Sequence, residues 1–366
     1  MRKSSIDKWL VTLALAAVIA GAVWHFVKSN RVAHDQKQKQ PETQSPAFGS
    51  EDFHPYYVPS VPRPTNGQPE GEVGFEKLPR AKVEAWLAKH NRDAESLLAA
   101  YRALSDTNYL NEAATNFPND PHVELAVLTH DEFPADRRKW LDLFKASSPS
   151  NSLANYLSAQ EYLQSGNTDA AVQELLAATG KSQFKNYAGE SQLSVEDLAQ
   201  FSGESPLAAY QIALAGFGAE DLPELATLKR LAFSMEDLQE QETTAGDSAS
   251  VQNLAQMGMV LGNQLNNGES GKLIINQLVG MATEAIVLSQ LDQNARYDFL
   301  GGQTPSQVLQ QLKQQKASFR ELDVSFQSAF PHLTEEEKVS YIERSQTHGE
   351  LDAMRWVVQL HPPANP

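Results

Sequence analysis

The chain contains no cysteine. That excludes disulfides, thiolate nucleophiles, cysteine-ligated zinc and attachment through a lipidated N-terminal cysteine, and it leaves the compartment open, since such a chain suits export and cytosol alike. Strand-length runs of alternating β-branched residues are missing after Pro79, so a sheet has nothing to build on. Catalytic signatures are equally scarce. No HExxH occurs among the nine histidines, and His122 and His130 lie about 80° from sharing a helix face; they read as surface or helix-end histidines, with no metal expected. Gly268 to Lys272 (GESGK) is similar to the end of a phosphate loop, but Asn266 stands where its first glycine belongs and Leu273 where its Ser/Thr belongs. It reads as an interhelical turn. Gly216 and Gly218 lack the third glycine and the strand of a dinucleotide fold. No cofactor is expected.

Positive charge is also in short supply where the chain is globular. Residues 1–79 hold nine Lys/Arg and eight Asp/Glu, and taking these from the totals of 30 and 46 leaves 21 against 38, a net of −17, for residues 80–366. Such a field repels phosphate backbones and anionic headgroups, so nucleic acid is excluded as the expected partner.

Long apolar runs are limited to one. Residues 1–8 form a basic tail, and Trp9 to Val27 follow as nineteen residues without formal charge, flanked by Lys8 and Lys28. That length spans a bilayer as a helix, so residues 9–27 are predicted to be a transmembrane signal anchor. Ala20 and Ala22 also form an A-x-A site, the alternative being a cleaved signal peptide; apolar character continuing through Trp24, Phe26 and Val27 favours the anchor. The basic head resembles an export signal. It places the bulk of the chain on the non-cytoplasmic side, although basic residues on the two flanks are nearly balanced. Residues 28–79 carry eight prolines and no helical periodicity, and read as a disordered linker. As a coil it holds the domain about 40 Å from the membrane. Its aromatic knot, Phe53 to Tyr57, reads as incidental or as a docking segment.

From Pro79 the punctuation is helical. Helices are predicted over 81–88, 93–104, 107–116, 153–164 and 169–178, with others opening at Pro206, Pro223 and Pro305. Residues 271–291 form an apolar helix whose Asn276, Gln277, Thr283 and Glu284 make it a buried core helix in preference to a second span. Thr334 and Glu337 make a capping box, and the last helix pair turns at Gly349. Gly189 to Leu193 reads as loop. Val251 to Leu254 echoes Val172 to Leu175, as a distant second hairpin or by coincidence. The helical part divides into 80–180 and 181–361, as one superhelix or as two lobes meeting near 181–204.

Within it, residues 149–178 are the most informative stretch. Ala159, Tyr162, Gly166, Ala171, Leu175 and Ala178 sit where a tetratricopeptide repeat places its interlocking small and bulky residues, and Pro149 closes the preceding unit. FPNDP at 117–121 and SSPSN at 147–151 resemble junctions between such units. The resemblance is to the tetratricopeptide family, over one good repeat with degenerate neighbours. It implies an all-α, tetratricopeptide-like α-solenoid of helical hairpins, which binds a protein or peptide without being an enzyme. The family's groove is lined by helix A, which the resemblance maps onto Leu153, Tyr156, Gln160, Leu163 and Gln164, with Tyr156 and Gln160 exposed on a concave face. Helix A carries no Lys or Arg, so a basic or polar ligand suits it better than an acidic chain end. The expected function is therefore a membrane-tethered interaction scaffold. Two alternatives stand beside it. One is a cell-envelope hydrolase resembling the lytic transglycosylases, for which the Glu190–Ser191 dipeptide is the only cue. The other is a purely structural subunit of a membrane assembly, marked by a large exposed apolar patch.

Overall fold

A computed structural model describes residues 78–130, 133–215 and 222–362. Among these the chain is all-α, with fifteen α-helices and no strand. The predicted anchor at 9–27, and the linker at 28–79 except for its last two residues, lie outside the described residues. Among the described residues no helix is long and apolar enough to cross a membrane. Leu78, the first described residue, is already buried in the core.

Seven helices form the first half: α1 (Arg80–Lys89), α2 (Ala94–Leu104), α3 (Thr107–Asn116), α4 (Pro121–His130), α5 (Arg137–Ser147), α6 (Leu153–Gln164) and α7 (Thr168–Thr179). Local chemistry sets their ends. The Asp93 and Asp106 side chains accept from Ser96 N–H and Asn108 N–H, and Asn167 accepts from Ala170 N–H, each satisfying an amide the first turn leaves orphaned. Gly166, at φ +74°, makes the left-handed turn that folds α7 back on α6. α2 pairs with α3, α4 with α5 and α6 with α7, and each hairpin packs on the next.

The second half does not continue that order. Its helices are α8 (Ala188–Phe201), α9 (Pro206–Ala215), α10 (Pro223–Ala245), α11 (Ser248–Asn266), α12 (Ile274–Leu288), α13 (Pro305–Ala329), α14 (Glu335–His348) and α15 (Glu350–Leu360). α8 returns to pack on α1 and α2, α10 lies along α6 and touches α4, and α9 meets α14. A strict solenoid keeps contacts between sequence neighbours; here the chain folds back over its own first half. One cluster of buried apolar residues accordingly runs from Leu78 and Trp86 through Phe144, Leu175 and Leu228 to Leu261 and Val287. A second joins Tyr210 of α9 to Phe326, Tyr341 and Met354 of α13–α15.

One stretch differs from the sequence expectation locally. Gly189 to Leu193, expected as loop, is the first part of α8. Val195 and Leu198 are fully buried and α8 packs on α2, so tertiary contact supplies the stability that weak local signals did not show.

Candidate functional site

The five residues expected to line an open groove have divergent fates. Leu153 and Tyr156 are 0% exposed and Gln160 is 5% exposed, so the expectation of an exposed concave face at Tyr156 and Gln160 is corrected. The physical cause is that α11 reaches Tyr156 and α10 packs along α6. α10 brings the larger apolar face. Its Leu225, Leu228, Leu231, Ala232, Met235 and Leu238 form an apolar stripe that is buried in the fold, and the helix lies against α6, removing apolar area from water on both. Behind it, Tyr156 Oη donates to Gln264 Oε1 of α11 at 2.9 Å. Ser152 Oγ donates to the same oxygen at 2.9 Å, and Gln264 Nε2 donates to the Lys181 carbonyl at 3.3 Å. Tyr156 is thus part of a closed polar junction. Leu163 is half-buried and Gln164 is exposed.

What survives of the groove is a cleft of about 360 Å³ between α4–α6 and α10, lined by Gln160 and Gln164 together with Arg137, Glu161, Glu224 and Arg230. Most donors in it are committed. Arg137 Nη1 donates to the Leu128 carbonyl at 2.6 Å, and its Nε lies 3.5 Å from Glu161 Oε2. The other Glu161 oxygen accepts from Arg138 Nη2 at 2.9 Å, while Arg138 lies over the Tyr162 ring, 4.2 Å from its centroid. The acceptors are less well served. Gln160 Oε1 is buried and has no hydrogen-bond partner. Glu224 is 4% exposed and accepts only a long 3.2 Å bond from Asn186 Nδ2 among its side-chain contacts. Burial pushes the Glu224 carboxyl up to about 7, against the opposing pull of its own backbone amide, Asn186 and the Arg102 charge. At the rim, exposed Arg230 donates through Nη2 to Thr227 Oγ1 at 2.8 Å.

Glu224, Arg137 and Arg230 escaped the sequence reading, and only one carried a signal. Glu224 follows Pro223 at the opening of a helix, where an acidic residue is ordinary capping chemistry. Its burial depends on where α10 lands.

The Glu190–Ser191 dipeptide has a different setting. Glu190 Oε2 lies 2.6 Å from His122 Nε2, and His122 Nδ1 lies 3.2 Å from Asp120 Oδ1. Burial pulls the imidazole pKa down, but the two carboxylates outweigh it and leave it raised. His122 also packs on Tyr187, with ring centroids 4.1 Å apart, and Ser191 is buried. This chain of side chains clasps the α3–α4 turn to the start of α8. Glu190 also borders a second cavity of about 230 Å³ with Leu193, Leu273 and Gln346.

Ser270 to Lys272, the tail of the loop-like GESGK string, forms a single 3₁₀ turn between α11 and α12, and Lys272 pairs with Glu269 at 2.8 Å. Among the described residues no group of three or more His, Asp or Glu is placed to hold a metal ion. No family model, curated protein or solved structure matches this chain.

Proposed function

We propose that this protein is a membrane-tethered interaction scaffold, without catalytic activity, that binds another protein or a peptide beside its helical hairpins. In this reading residues 9–27 anchor the chain, residues 28–79 tether it, and the domain stands on the non-cytoplasmic side. The observation that carries the reading is the partly open edge of the hairpin array. Later helices bury Leu153 and Tyr156, yet Gln164 stays exposed in the lining of a polar cleft and the neighbouring Leu163 is half-exposed, where a partner can reach side chains held on a rigid helix. The acidic balance of the domain suits a polar or basic partner.

A photo-crosslinking residue at Gln164 of the full-length protein, in its native membranes, should give a discrete adduct with a second polypeptide. The same probe at exposed Ser318 on α13 should not. Matching products at both sites, or none at Gln164, would sink the reading. Topology has a separate test: because the chain lacks cysteine, Ser50→Cys should be the only position that a membrane-impermeant maleimide labels from outside intact cells.

One observation favours the hydrolase reading. Glu224, with its carboxyl raised to about 7 in a cleft, has the proton affinity a general acid needs at neutral pH. Glycan-strand cleavage by the wild type that disappears in Glu224→Gln would establish that chemistry. The structural-subunit reading has less support, because exposed Leu193, Phe201, Phe233, Val324 and Leu360 are spread over α8, α10, α13 and α15.

A further inference from the structure

We propose that the cleft between α4–α6 and α10 is a binding site for a small zwitterion of the α-amino-acid class, with its ammonium group directed to Gln160 and Glu224 and its carboxylate to Arg230. The site stands whether or not a polypeptide binds at the mouth.

The first support is an imbalance of hydrogen-bonding groups. Among the lining residues the unspent groups are acceptors: Gln160 Oε1 is buried with no partner, and the Glu224 carboxyl takes one side-chain bond, from Asn186, besides its own backbone amide. Leaving such an acceptor buried and unpaired costs about 1–3 kcal/mol, so a ligand that brings donors recovers part of that loss. The terminal torsion of a glutamine is soft, which lets the Gln160 amide turn toward a ligand. An ammonium group supplies three donors and a charge for Glu224.

The second support is the rim. Arg137 is spent on Glu161 and the Leu128 carbonyl, and the Thr227 hydroxyl donates to the Pro223 carbonyl at 2.9 Å. Arg230 is different. Its Nη2 reaches back to Thr227 Oγ1, Thr227 stands one helical turn from Glu224, and all three residues line the cleft. A guanidinium at the mouth is suited to a carboxylate by its planar fork of donors.

Charge balance distinguishes a zwitterion from a simple ion. In the lining Arg137 pairs with Glu161, which leaves Arg230 and Glu224 as the two ends not paired with each other by a salt bridge, with the Arg102 charge also acting on Glu224. A lone cation would meet Arg230 unpaired, and a lone anion would face Glu224 and the Gln160 carbonyl oxygen. A ligand with both ends matches both. The cleft, at about 360 Å³, leaves room for a side chain against Leu128 and Leu157.

Titration calorimetry on the full-length protein in detergent, with each common L-amino acid as the probe, should give saturable binding for at least one of them. The corresponding amino-acid amide, which lacks the carboxylate, should bind about tenfold more weakly or worse. Arg230→Ala removes an exposed side chain and leaves the core untouched; it should weaken binding by about tenfold or more, with Arg230→Lys restoring part of the loss. Binding near pH 6.5 should also release a proton, because an ammonium group favours the ionised Glu224, so the measured heat should vary with the buffer's ionisation enthalpy. Glu224→Gln should remove that variation. The proposal is overturned if no amino acid gives saturable heat at about 10 mM, or if Arg230→Ala binds as tightly as the wild type. Neither result touches the crosslinking test at Gln164, so the two readings fail separately.

Discussion

The α6–α7 and α11–α12 pairs are both antiparallel helices closed by tight turns, but they approach each other by different means. In α6–α7 the close contacts are made by Ala159, Ala171 and Ala178, with Leu175 filling the seam, all fully buried. In α11–α12 the corresponding positions are glycines. A Cβ on Gly280 would stand 2.7 Å from the Gly262 carbonyl oxygen, and one on Gly262 would stand 2.9 Å from the Gly280 oxygen. The backbones are in contact, with Glu284 laid beside them and held by Asn266 Nδ2 at 3.0 Å. Alanine seams are adjustable because a methyl group meets flexible side chains. At Gly262 and Gly280 the side chains of Glu284 and Asn266 fill the space nearest the missing Cβ, and the opposite carbonyl oxygens lie directly behind them.

The largest effect should come from attacking that difference directly. Gly280→Ala should destabilise the protein by roughly 3 kcal/mol, the upper part of the overpacking range, because the added methyl displaces the Asn266 amide that holds Glu284 and also meets the Gly262 carbonyl oxygen of the opposite backbone. Ala178→Gly in the other pair should cost about 1 kcal/mol, close to the intrinsic helix penalty alone. Urea midpoints of the two variants would compare them, and equal losses would erase the distinction.

Next in size is pH. Glu124, Glu196, Glu224, Glu284 and Glu350 are all buried, and desolvation raises each carboxyl from 4.5 to about 7. In the unfolded chain they ionise near 4.5, in the folded protein near 7. Their contribution to stability is therefore fully present below about 4.5, falls as pH rises toward 7, and is lost above it. His122, with a raised pKa, acts in the same direction at neutral pH. On the acid side the opposite groups act: Tyr109 and Arg92 hold Glu84 low, and Arg92 holds Glu112 low, so their stabilisation is lost as pH falls through those values. Urea midpoints should therefore rise as pH is lowered from 8 toward 5.5. Glu284→Gln keeps an acceptor for Asn266 and cannot ionise; it should stabilise the protein at pH 8 by on the order of 1–3 kcal/mol and flatten the pH dependence. A variant less stable than wild type at pH 8 would show that the charged form is the one the α11–α12 seam is built for.

Smaller effects sharpen the α6–α7 side. Tyr156→Phe removes one donor to Gln264, which keeps Ser152, and should cost about 1 kcal/mol. Asn167→Ala removes the cap on α7 and should cost about 0.5–1 kcal/mol, with amide exchange in that first turn as the more local measure.

These comparisons also show where sequence reading reached and where it stopped. The α6–α7 hairpin was visible in Gly166 and the alanine spacing, which are local features, while the Asn167 cap that starts α7 at Thr168, one residue ahead of the expected 169, was not read. Thr304 and Thr334 open α13 and α14 with capping boxes, and local chemistry sets those boundaries as well. The candidate site was half visible. Helix A is where the sequence places it, and Gln160 and Gln164 do line a cleft, but Leu153 and Tyr156 are buried, Tyr156 against Gln264 of α11. The apolar stripe of α10 was legible as a face that must be covered; nothing in its spacing says that it covers α6.

Sequence alone determined the helical character, because caps, prolines and a 3.6-residue apolar period act within a few residues of themselves. It also determined the acidity of the domain and the lack of cysteine chemistry. Only the tertiary structure decided that the second half folds back over the first, and through that which glutamine is sealed, which glutamate holds its proton near neutrality and which arginine lines the same cleft. The physical reason is range: hydrogen bonds within a turn are specified by neighbours in the chain, whereas burial and the pKa values it shifts depend on other helices that only folding brings alongside.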